Sequence, residues 1–181
     1  MPRKILSPAF FRRDTLQVAR DLLGKHLVRN NKAGLLAGRI VEVEAYVGPN
    51  DRASHASRGR TNRTDVMFGQ AGIAYVYLVY GMHHCFNVVT DREGYPAAIL
   101  VRAVEADGHG LVDGPGRLCR HFQIDRTLNK WDLTLGEGLW LEDRGERVPA
   151  SRIIRAPRIG VDYAGKWAEK PWRFRLKEAD G

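Results

Sequence analysis

Two glutamates stand two positions apart in VEVEAYV, residues 41 to 47, a stretch rich in strand-forming residues. Because successive side chains of a strand point to opposite faces, Glu42, Glu44 and Tyr46 would share one face and the apolar residues between them the other. Burial beside aromatic rings favours a neutral carboxyl group, whereas nearby arginines favour the anion, and a balance of the two can produce a general base. Glu42 and Glu44 are therefore candidates to deprotonate a water molecule, with a simple ion pair on an exposed sheet face as the alternative.

Four arginines follow in RASHASRGRTNR, residues 52 to 63, among serine, threonine, glycine and asparagine. Guanidinium groups and small hydrogen-bond donors in such a loop can bind along a phosphate backbone, although the same composition also suits a solvated surface loop. The candidates for contact with a nucleic-acid backbone are Arg52, Arg58, Arg60 and Arg63.

Three tyrosines lie in YVYLVYG, residues 75 to 81. Tyr75 and Tyr77 would share one face of a strand, and Tyr80 would point to the other unless the strand ends before it, as Gly81 suggests. Aromatic side chains near a basic loop can stack on a base or insert into a duplex. Half-buried strand residues are the alternative, since tyrosine favours strands.

The histidines and cysteines form no recognisable metal-binding or redox motif. His83 and His84 are adjacent, so on a strand they would point in opposite directions, and His55 could join one of them only through folding. Cys85 and Cys119 lie far apart without a CxxC pair, which favours a reducing, cytoplasmic setting. The motifs HExxH, GxSxG, GxxxxGK[ST] and GxGxxG after a strand are absent. We therefore expect no metal site.

The charge of the chain points to anionic partners. Its 181 residues include 29 Lys and Arg against 21 Asp and Glu, a formal net charge of +8. Such a charge favours nucleic acid or an anionic membrane surface, although many basic proteins bind neither. Because the N-terminus lacks the apolar core of a signal peptide and no segment has the apolar length of a membrane span, we expect a soluble protein.

Hydrophobic periodicity and turn residues predict the elements that must position these side chains. A helix is predicted over residues 14–23, with Asp14 as its N-cap, and a second helix begins after Gly114. No repeat, low-complexity tract or linker divides the chain, so residues 1–181 are predicted to form one α+β domain. Strands are predicted over residues 25–30, 34–47, 72–81, 84–90, 97–106, 138–143 and 171–177.

The segment RIVEVEAYVGPNDRASHASRGRTNRTDVMFGQAGIAYVYLVYGMHHCFNVV, residues 39 to 89, resembles the core of the alkyladenine DNA glycosylases, also called 3-methyladenine or methylpurine DNA glycosylases. The pattern VExEAYxGPxDxASHxxxGRTxRxxxMF within it is long and irregularly spaced, which makes it specific. Because the resemblance continues through AAILVRAVEA, GPGRLC and PRIGVDYAGKWAEKPWRFRL, it covers most of the chain. The chain resembles the minimal, bacterial-type form of the family, which lacks a long basic N-terminal extension.

The resemblance implies an enzyme that flips a damaged purine out of double-stranded DNA and hydrolyses its N-glycosidic bond, leaving an abasic site. The implied substrates are 3-methyladenine, 7-methylguanine, hypoxanthine and ethenoadenine. By position in the matching motifs, Glu44 is the general base for the attacking water, and Arg102 in ILVRA helps to hold that water.

The remaining implied roles concern the flipped base and the duplex. Tyr46, His55 and Tyr77 match the residues that sandwich and contact the flipped base, and Tyr80 matches the side chain that fills the gap in the duplex. Asn87 matches the pocket residue that disfavours the exocyclic amine of guanine.

The resemblance also implies a compact domain with a curved, mostly antiparallel β-sheet core and surrounding helices. It implies an enzyme that uses neither a metal nor an organic cofactor. A monomer suits an enzyme that must scan a duplex. No lysine stands out as an imine-forming nucleophile, so we expect a monofunctional glycosylase without strand cleavage. Within the nucleoid of a bacterial cytoplasm, its partner would be DNA containing damaged purines.

Two alternatives lead to different experiments. A non-catalytic damaged-DNA-binding protein would keep the pocket without the chemistry, but such a protein gains nothing from Glu44 and Arg102 together. A metal-dependent nuclease using Glu42, Glu44 and His55 would lose activity in a chelator. The chain also departs from eukaryotic members of the family at His83 and His84, where those carry aromatic residues.

Overall fold

The computed structural model describes residues 3–178, and within this range ten strands form one sheet. The strands are β1 (Lys4–Ile5), β2 (His26–Asn31), β3 (Gly34–Val47), β4 (Ala74–Val79), β5 (His83–Val89), β6 (Ala97–Ala106), β7 (Gly110–Asp113), β8 (Leu139–Asp143), β9 (Ile153–Ala156) and β10 (Arg173–Leu176). The α-helices are α1 (Pro8–Phe11), α2 (Thr15–Leu22) and α3 (Pro115–Phe122), and 3₁₀ segments lie at His55–Arg58, Asp65–Phe68, Arg126–Leu128, Ala150–Arg152 and Asp162–Glu169.

The strands pair in the order β1-β8-β2-β3-β6-β5-β4, with β7 beside β6 and the β9–β10 pair beside β3. Every one of these pairings is antiparallel. The predicted α+β class with a mostly antiparallel sheet is therefore confirmed. The long strands β3 and β6 have the bounds that the sequence predicts, and they form the centre of the sheet.

The two longer helices also begin where the sequence predicts them. At the start of α2 the Asp14 carboxylate accepts a hydrogen bond from the Gln17 N–H at 3.1 Å, which satisfies one of the donors that a first helical turn leaves unpaired. Residues Val18, Ala19 and Leu22 of α2, and Leu118, Cys119 and Phe122 of α3, are buried. Among residues 3–178, no helix has both the length and the apolar character to cross a membrane.

The two faces of β3, β6, β5 and β4 carry different kinds of side chain. One face belongs to the main apolar core, to which α2 and α3 also contribute. Because burial of apolar surface is worth about 25 cal/mol per Å², this face fixes the strands in place. Its fully buried members include Val43, Ala45, Phe86, Val88, Ile99 and Val101. The opposite face of the same strands carries polar and aromatic side chains, as the alternation in β3 predicts.

An irregularity in the β3–β6 ladder lies beside these polar residues. Ile40 pairs with Val104 and Val43 pairs with Val101, but the register shifts on either side of Glu42. Two residues three positions apart, Ile40 and Val43, consequently both face the core. A bulge of this kind redirects side chains where a regular ladder would not.

Candidate active site

A row of side chains crosses the four central strands on the face away from the helices. Glu44 of β3 lies opposite Leu100 of β6, Leu100 lies opposite Asn87 of β5, and Asn87 lies opposite Tyr75 of β4. The row borders a cavity of about 460 Å³. Of the residues predicted for the site, Glu44, Tyr46, His55, Arg63, Tyr77, Tyr80, Asn87 and Arg102 line this cavity. The structure thus brings together all the residues predicted to be catalytic or base-binding.

The carboxylate of Glu44 is fully buried at this cavity and accepts hydrogen bonds from three groups. The Tyr46 hydroxyl donates to Oε1 at 3.0 Å, and the Arg102 Nη1 donates to the same oxygen at 3.4 Å. The backbone N–H of Ile159 donates to Oε2 at 2.7 Å. A carboxylate offers about four lone-pair positions, so these donors leave room for one more.

Arg102 connects the two glutamates. Its Nε donates to Glu42 Oε1 at 2.9 Å while its Nη1 contacts Glu44. Burial alone would lower the pKa of Arg102, but the two carboxylates outweigh burial and raise it, so the guanidinium stays charged. Arg173 also contacts Glu42, at 3.5 Å. Glu42 is therefore held between two arginines on one side of Glu44.

Aromatic rings form one wall of the cavity. The His55 Nδ1 lies 3.1 Å from the Tyr75 hydroxyl oxygen, and the His55 and Tyr77 ring centroids are 4.7 Å apart. Although His55 as a residue is exposed, its ring packs against these tyrosines, and this partial burial, followed by the charge of Arg63, lowers its pKa to about 4. Burial raises the pKa of both tyrosines, so they remain protonated and His55 remains neutral near neutral pH.

Asn87 is buried in the floor of the cavity, and its orientation is fixed by the neighbouring strand. Its Nδ2 donates a hydrogen bond to the carbonyl oxygen of Tyr75 at 3.1 Å. Cys85, two residues earlier on the same face, also lines the cavity, and burial raises the pKa of its thiol. Both side chains therefore present uncharged polar groups to the cavity.

Tyr80 lies at the turn between β4 and β5. The strand ends at Val79, and Tyr80 has a φ of 51°, in the left-handed region that side chains other than glycine rarely adopt. Its side chain is 93% exposed at the mouth of the cavity, and Met82 beside it is 72% exposed. The predicted strand over residues 72–81 is therefore too long: β4 covers Ala74–Val79, and Tyr80 lies in the turn, as the alternative of an earlier strand end allowed.

The arginines of the 52–63 segment have different surroundings. Arg63 lies over the Tyr77 ring, 5.1 Å from its centroid, and thus faces the cavity. Arg60 lies over Phe68 at 4.7 Å and contacts Asp65 at 3.5 Å. Arg52 and Arg58 line a second cavity of about 800 Å³, which adjoins the first, and none of the acidic residues within 3–178 contributes to its lining.

Three residues that the sequence analysis did not single out are close to Glu44. Asp51 and Arg158 form a fully buried ion pair, and Ile159 supplies the backbone donor described above. Asp51 lies in the GPND segment, which suggests a turn, and Arg158 lies in the matching segment PRIGVDYAGKWAEKPWRFRL, but neither pattern shows that the two side chains pair. A backbone N–H has no sequence signature at all.

The residues weighed as a metal site have other partners. His55 contacts Tyr75, and Glu42 and Glu44 contact arginines. Within residues 3–178, no group of three or more His, Cys, Asp and Glu side chains is arranged to hold a metal ion.

Comparison with known proteins connects this site to one family. A family model described as methylpurine-DNA glycosylase (MPG) matches residues 9–180. A relative from Methanocella arvoryzae is 51% identical over 97% of this chain and 94% of its own length. One from Anaeromyxobacter sp. (strain Fw109-5) is 52% identical over 95% and 89%, and one from Legionella pneumophila (strain Paris) is 48% identical over 97% and 96%. Each of the three is provisionally named a 3-methyladenine DNA glycosylase.

Proposed function

The chain belongs to the methylpurine-DNA glycosylase family, and from that premise we propose that it excises alkylated and deaminated purines from duplex DNA. It acts as a monomer, flips the damaged nucleotide into the cavity beside Glu44 and hydrolyses the N-glycosidic bond. The products are a free purine and an abasic site in an intact strand. The observation that carries the proposal is the fully buried Glu44 carboxylate at the wall of a cavity lined by aromatic side chains.

Glu44 acts as the general base. As the glycosidic bond breaks, its electron pair leaves with the purine and the sugar gains oxocarbenium character at C1′. A water molecule in the remaining acceptor position of Glu44 attacks C1′ and gives its proton to the carboxylate. The negative charge of Glu44 also stabilises the positive sugar in the transition state.

Arg102 orients this reaction. Its guanidinium stays charged between the two glutamates and lines the cavity beside Glu44, where a further N–H can donate to the water oxygen. A donor to the oxygen and an acceptor for the proton together fix the direction of attack. Glu42 balances the charge of Arg102 and holds its guanidinium in place.

The aromatic side chains bind the flipped base. Tyr46, His55 and Tyr77 offer ring faces and edges on which any purine can stack, and Tyr80 fills the gap that the base leaves in the duplex. The exposure of Tyr80 at the mouth of the cavity supports this role. The free energy needed to unstack a base is smallest when the base is damaged or mispaired, and this difference contributes to the selectivity for damaged purines.

Discrimination against guanine falls to Asn87. Its Nδ2 is already committed to the Tyr75 carbonyl, so the buried amide cannot turn freely to meet a new group. An exocyclic amine entering at this point would clash with the fixed amide, which is costly in a buried site. Hypoxanthine lacks that amine, and alkylated purines compensate by being electron-poor leaving groups.

Because water is the proposed nucleophile, we expect the protein to hydrolyse the glycosidic bond and to have no strand-cleaving activity. In the part of the chain that the structure describes, no lysine lines the cavity, and lysine is the usual source of an imine with the sugar. We therefore expect the protein to release purines without cleaving the strand.

The test is a single-turnover assay in EDTA on methylated duplex DNA and on a duplex with one hypoxanthine. We expect free 3-methyladenine and hypoxanthine, with the strand intact until alkali is added. Binding of damaged DNA without release of either purine would indicate a non-catalytic damaged-DNA-binding protein. Strand cleavage that EDTA abolishes would indicate a metal-dependent nuclease instead.

A further inference from the structure

The ion pair between Asp51 and Arg158 is fully buried and forked. Arg158 Nη1 lies 2.6 Å from Asp51 Oδ2, and Nη2 lies 2.9 Å from Oδ1. Removing two charges from water is costly, and apolar residues of similar volume often stabilise a fold at least as well. Stability alone is therefore a weak explanation for this pair, and its connections suggest a different one.

The pair joins the segments on either side of Glu44. Asp51 accepts hydrogen bonds from the N–H groups of Val47 and Ala53, at 2.9 and 3.1 Å, so it holds the turn that follows β3. Arg158 donates to the carbonyl oxygens of Ala45 and Trp167, at 3.0 and 3.1 Å. Residues separated by about a hundred positions in the chain are thus fixed to one another next to Glu44.

Two of the three donors to Glu44 adjoin Arg158. Ile159, which follows it directly, supplies the N–H that lies 2.7 Å from Glu44 Oε2. The Arg158 guanidinium lies 4.9 Å from the centroid of the Tyr46 ring, whose hydroxyl donates to Oε1. Arg158 does not line the cavity, but these two neighbours give it a route to the Glu44 carboxylate.

We propose that Asp51 and Arg158 are positioning residues that hold the Ile159 N–H and the Tyr46 hydroxyl against the Glu44 carboxylate. The inference rests on the proposed function, in which Glu44 must aim at one water molecule. A displacement of about 1 Å in a catalytic group can cost about a hundredfold in rate. Loosening this pair should therefore slow the bond-breaking step more than it weakens DNA binding.

The test is Asp51→Asn, which keeps the shape of the side chain but removes its charge. Glu142→Gln is the matched control, because Glu142 is also buried and accepts from Arg144 Nε at 2.9 Å, in β8 and outside the lining of the cavity. Single-turnover release of hypoxanthine is measured at saturating protein, together with the Kd for the same duplex and the thermal unfolding of each variant. We expect Asp51→Asn to lower the rate constant about 10- to 100-fold with little change in Kd, and Glu142→Gln to leave the rate unchanged.

A second variant covers the case in which Asp51→Asn does not fold. Arg158→Lys keeps the positive charge but cannot form the fork, and we expect it to slow release in the same way. A folded variant of either kind that reacts at the native rate would overturn the inference, as would an equal loss of rate in Glu142→Gln. A native protein that releases no purine would instead overturn the proposed function itself.

Discussion

A carboxylate buried as completely as that of Glu44 must find hydrogen-bond donors, because an unpaired buried charge is very costly. Tyr46, Arg102 and Ile159 supply these donors and still leave one acceptor position. The same arrangement that permits burial therefore fixes the direction in which Glu44 can accept a proton. At the scale of single residues, structure and proposed chemistry depend on the same three contacts.

The lowered pKa of His55 gives a prediction about pH. The folded protein takes up a proton on His55 only near pH 4, whereas an unfolded chain does so near 6.5. The contribution of this residue to the free energy of unfolding is thus fully present above 6.5 and declines as the pH falls towards 4. An NMR titration of the His55 ring should give a midpoint near 4 in the native protein.

Arg63 supplies part of this shift, so Arg63→Gln should move the midpoint back towards 6.5. Arg60→Gln is the matched control, since Arg60 lies over Phe68 and does not line the cavity. A midpoint near 6.5 in the native protein would contradict the described environment of His55.

The strand pattern and the motif resemblance together predicted the residues that line the cavity, including His55 in a 3₁₀ segment, but they did not predict the contacts behind Glu44. Alternation along one strand placed Glu44 and Tyr46 on a common face. The sequence did not predict the contact between Asp51 and Arg158 or the contact between Ile159 and Glu44. In each pair the two residues are more than a hundred positions apart in the chain. Such pairs depend on the tertiary fold and leave no local pattern.

At the scale of elements, the β4–β5 hairpin combines a strained backbone with Tyr80, the side chain that we propose fills the gap in the duplex. Tyr80 has a positive φ, which costs a residue with a Cβ about 1 to 2 kcal/mol and costs glycine little. Because its side chain is exposed at the tip of the turn, Tyr80 is free to reach into a duplex, as the proposed role requires. The strain is therefore the consequence of placing a large side chain at this position.

Two variants of Tyr80 distinguish the effect of losing its ring from the effect of its positive φ. Tyr80→Gly and Tyr80→Ala both remove the ring, so both should lower single-turnover release from a hypoxanthine duplex by about tenfold or more, because the flipped state loses a few kcal/mol of support. Tyr80→Gly should be the more stable of the two by about 1 kcal/mol in denaturant unfolding. Equal stability would argue against the left-handed conformation, and native activity in either variant would argue against the proposed role of the ring.

Long elements were predictable, whereas most short ones were not, with β8 and β10 as the exceptions. The bounds of β3 and β6 follow from continuous strand-forming runs, and those of α2 from its cap and apolar spacing. The two-residue β1 and the four-residue strands β7 and β9 are too short to show a period, and tertiary pairing alone defines them. Strand β9 matters to the site, because it leads into Arg158.

At the scale of the whole molecule, the net charge of +8 and the arginine-lined second cavity favour DNA binding that weakens with salt. Arg58→Ala should reduce the slope of log K against log salt by about one unit for undamaged duplex. Arg12→Ala is the control, because Arg12 is exposed at the end of α1. The slopes of the native protein and the variants are measured by fluorescence anisotropy across a salt series. Equal slopes for the native protein and Arg58→Ala would exclude a phosphate contact at Arg58.

The fold class and the central antiparallel sheet were predictable from the sequence, but the strand order was not. Adjacent segments pair in β2–β3 and β4–β5, whereas β8 lies between β1 and β2, and β10 lies beside β3. These long-range pairings depend on which faces can be buried together. The pairing of β10 with β3 also brings β10 and the segment before it close to Glu44, which completes the site.

The central claim is that Glu44 activates the water that cleaves the glycosidic bond. The most direct measurement compares the native protein with Glu44→Gln in single-turnover release of 3-methyladenine and hypoxanthine from duplex DNA in EDTA, with binding of the damaged duplex measured in parallel. We predict release by the native protein, and a loss of about 10²- to 10⁴-fold in the variant without loss of binding. Full activity of Glu44→Gln would contradict the account, even in a protein that excises the same purines.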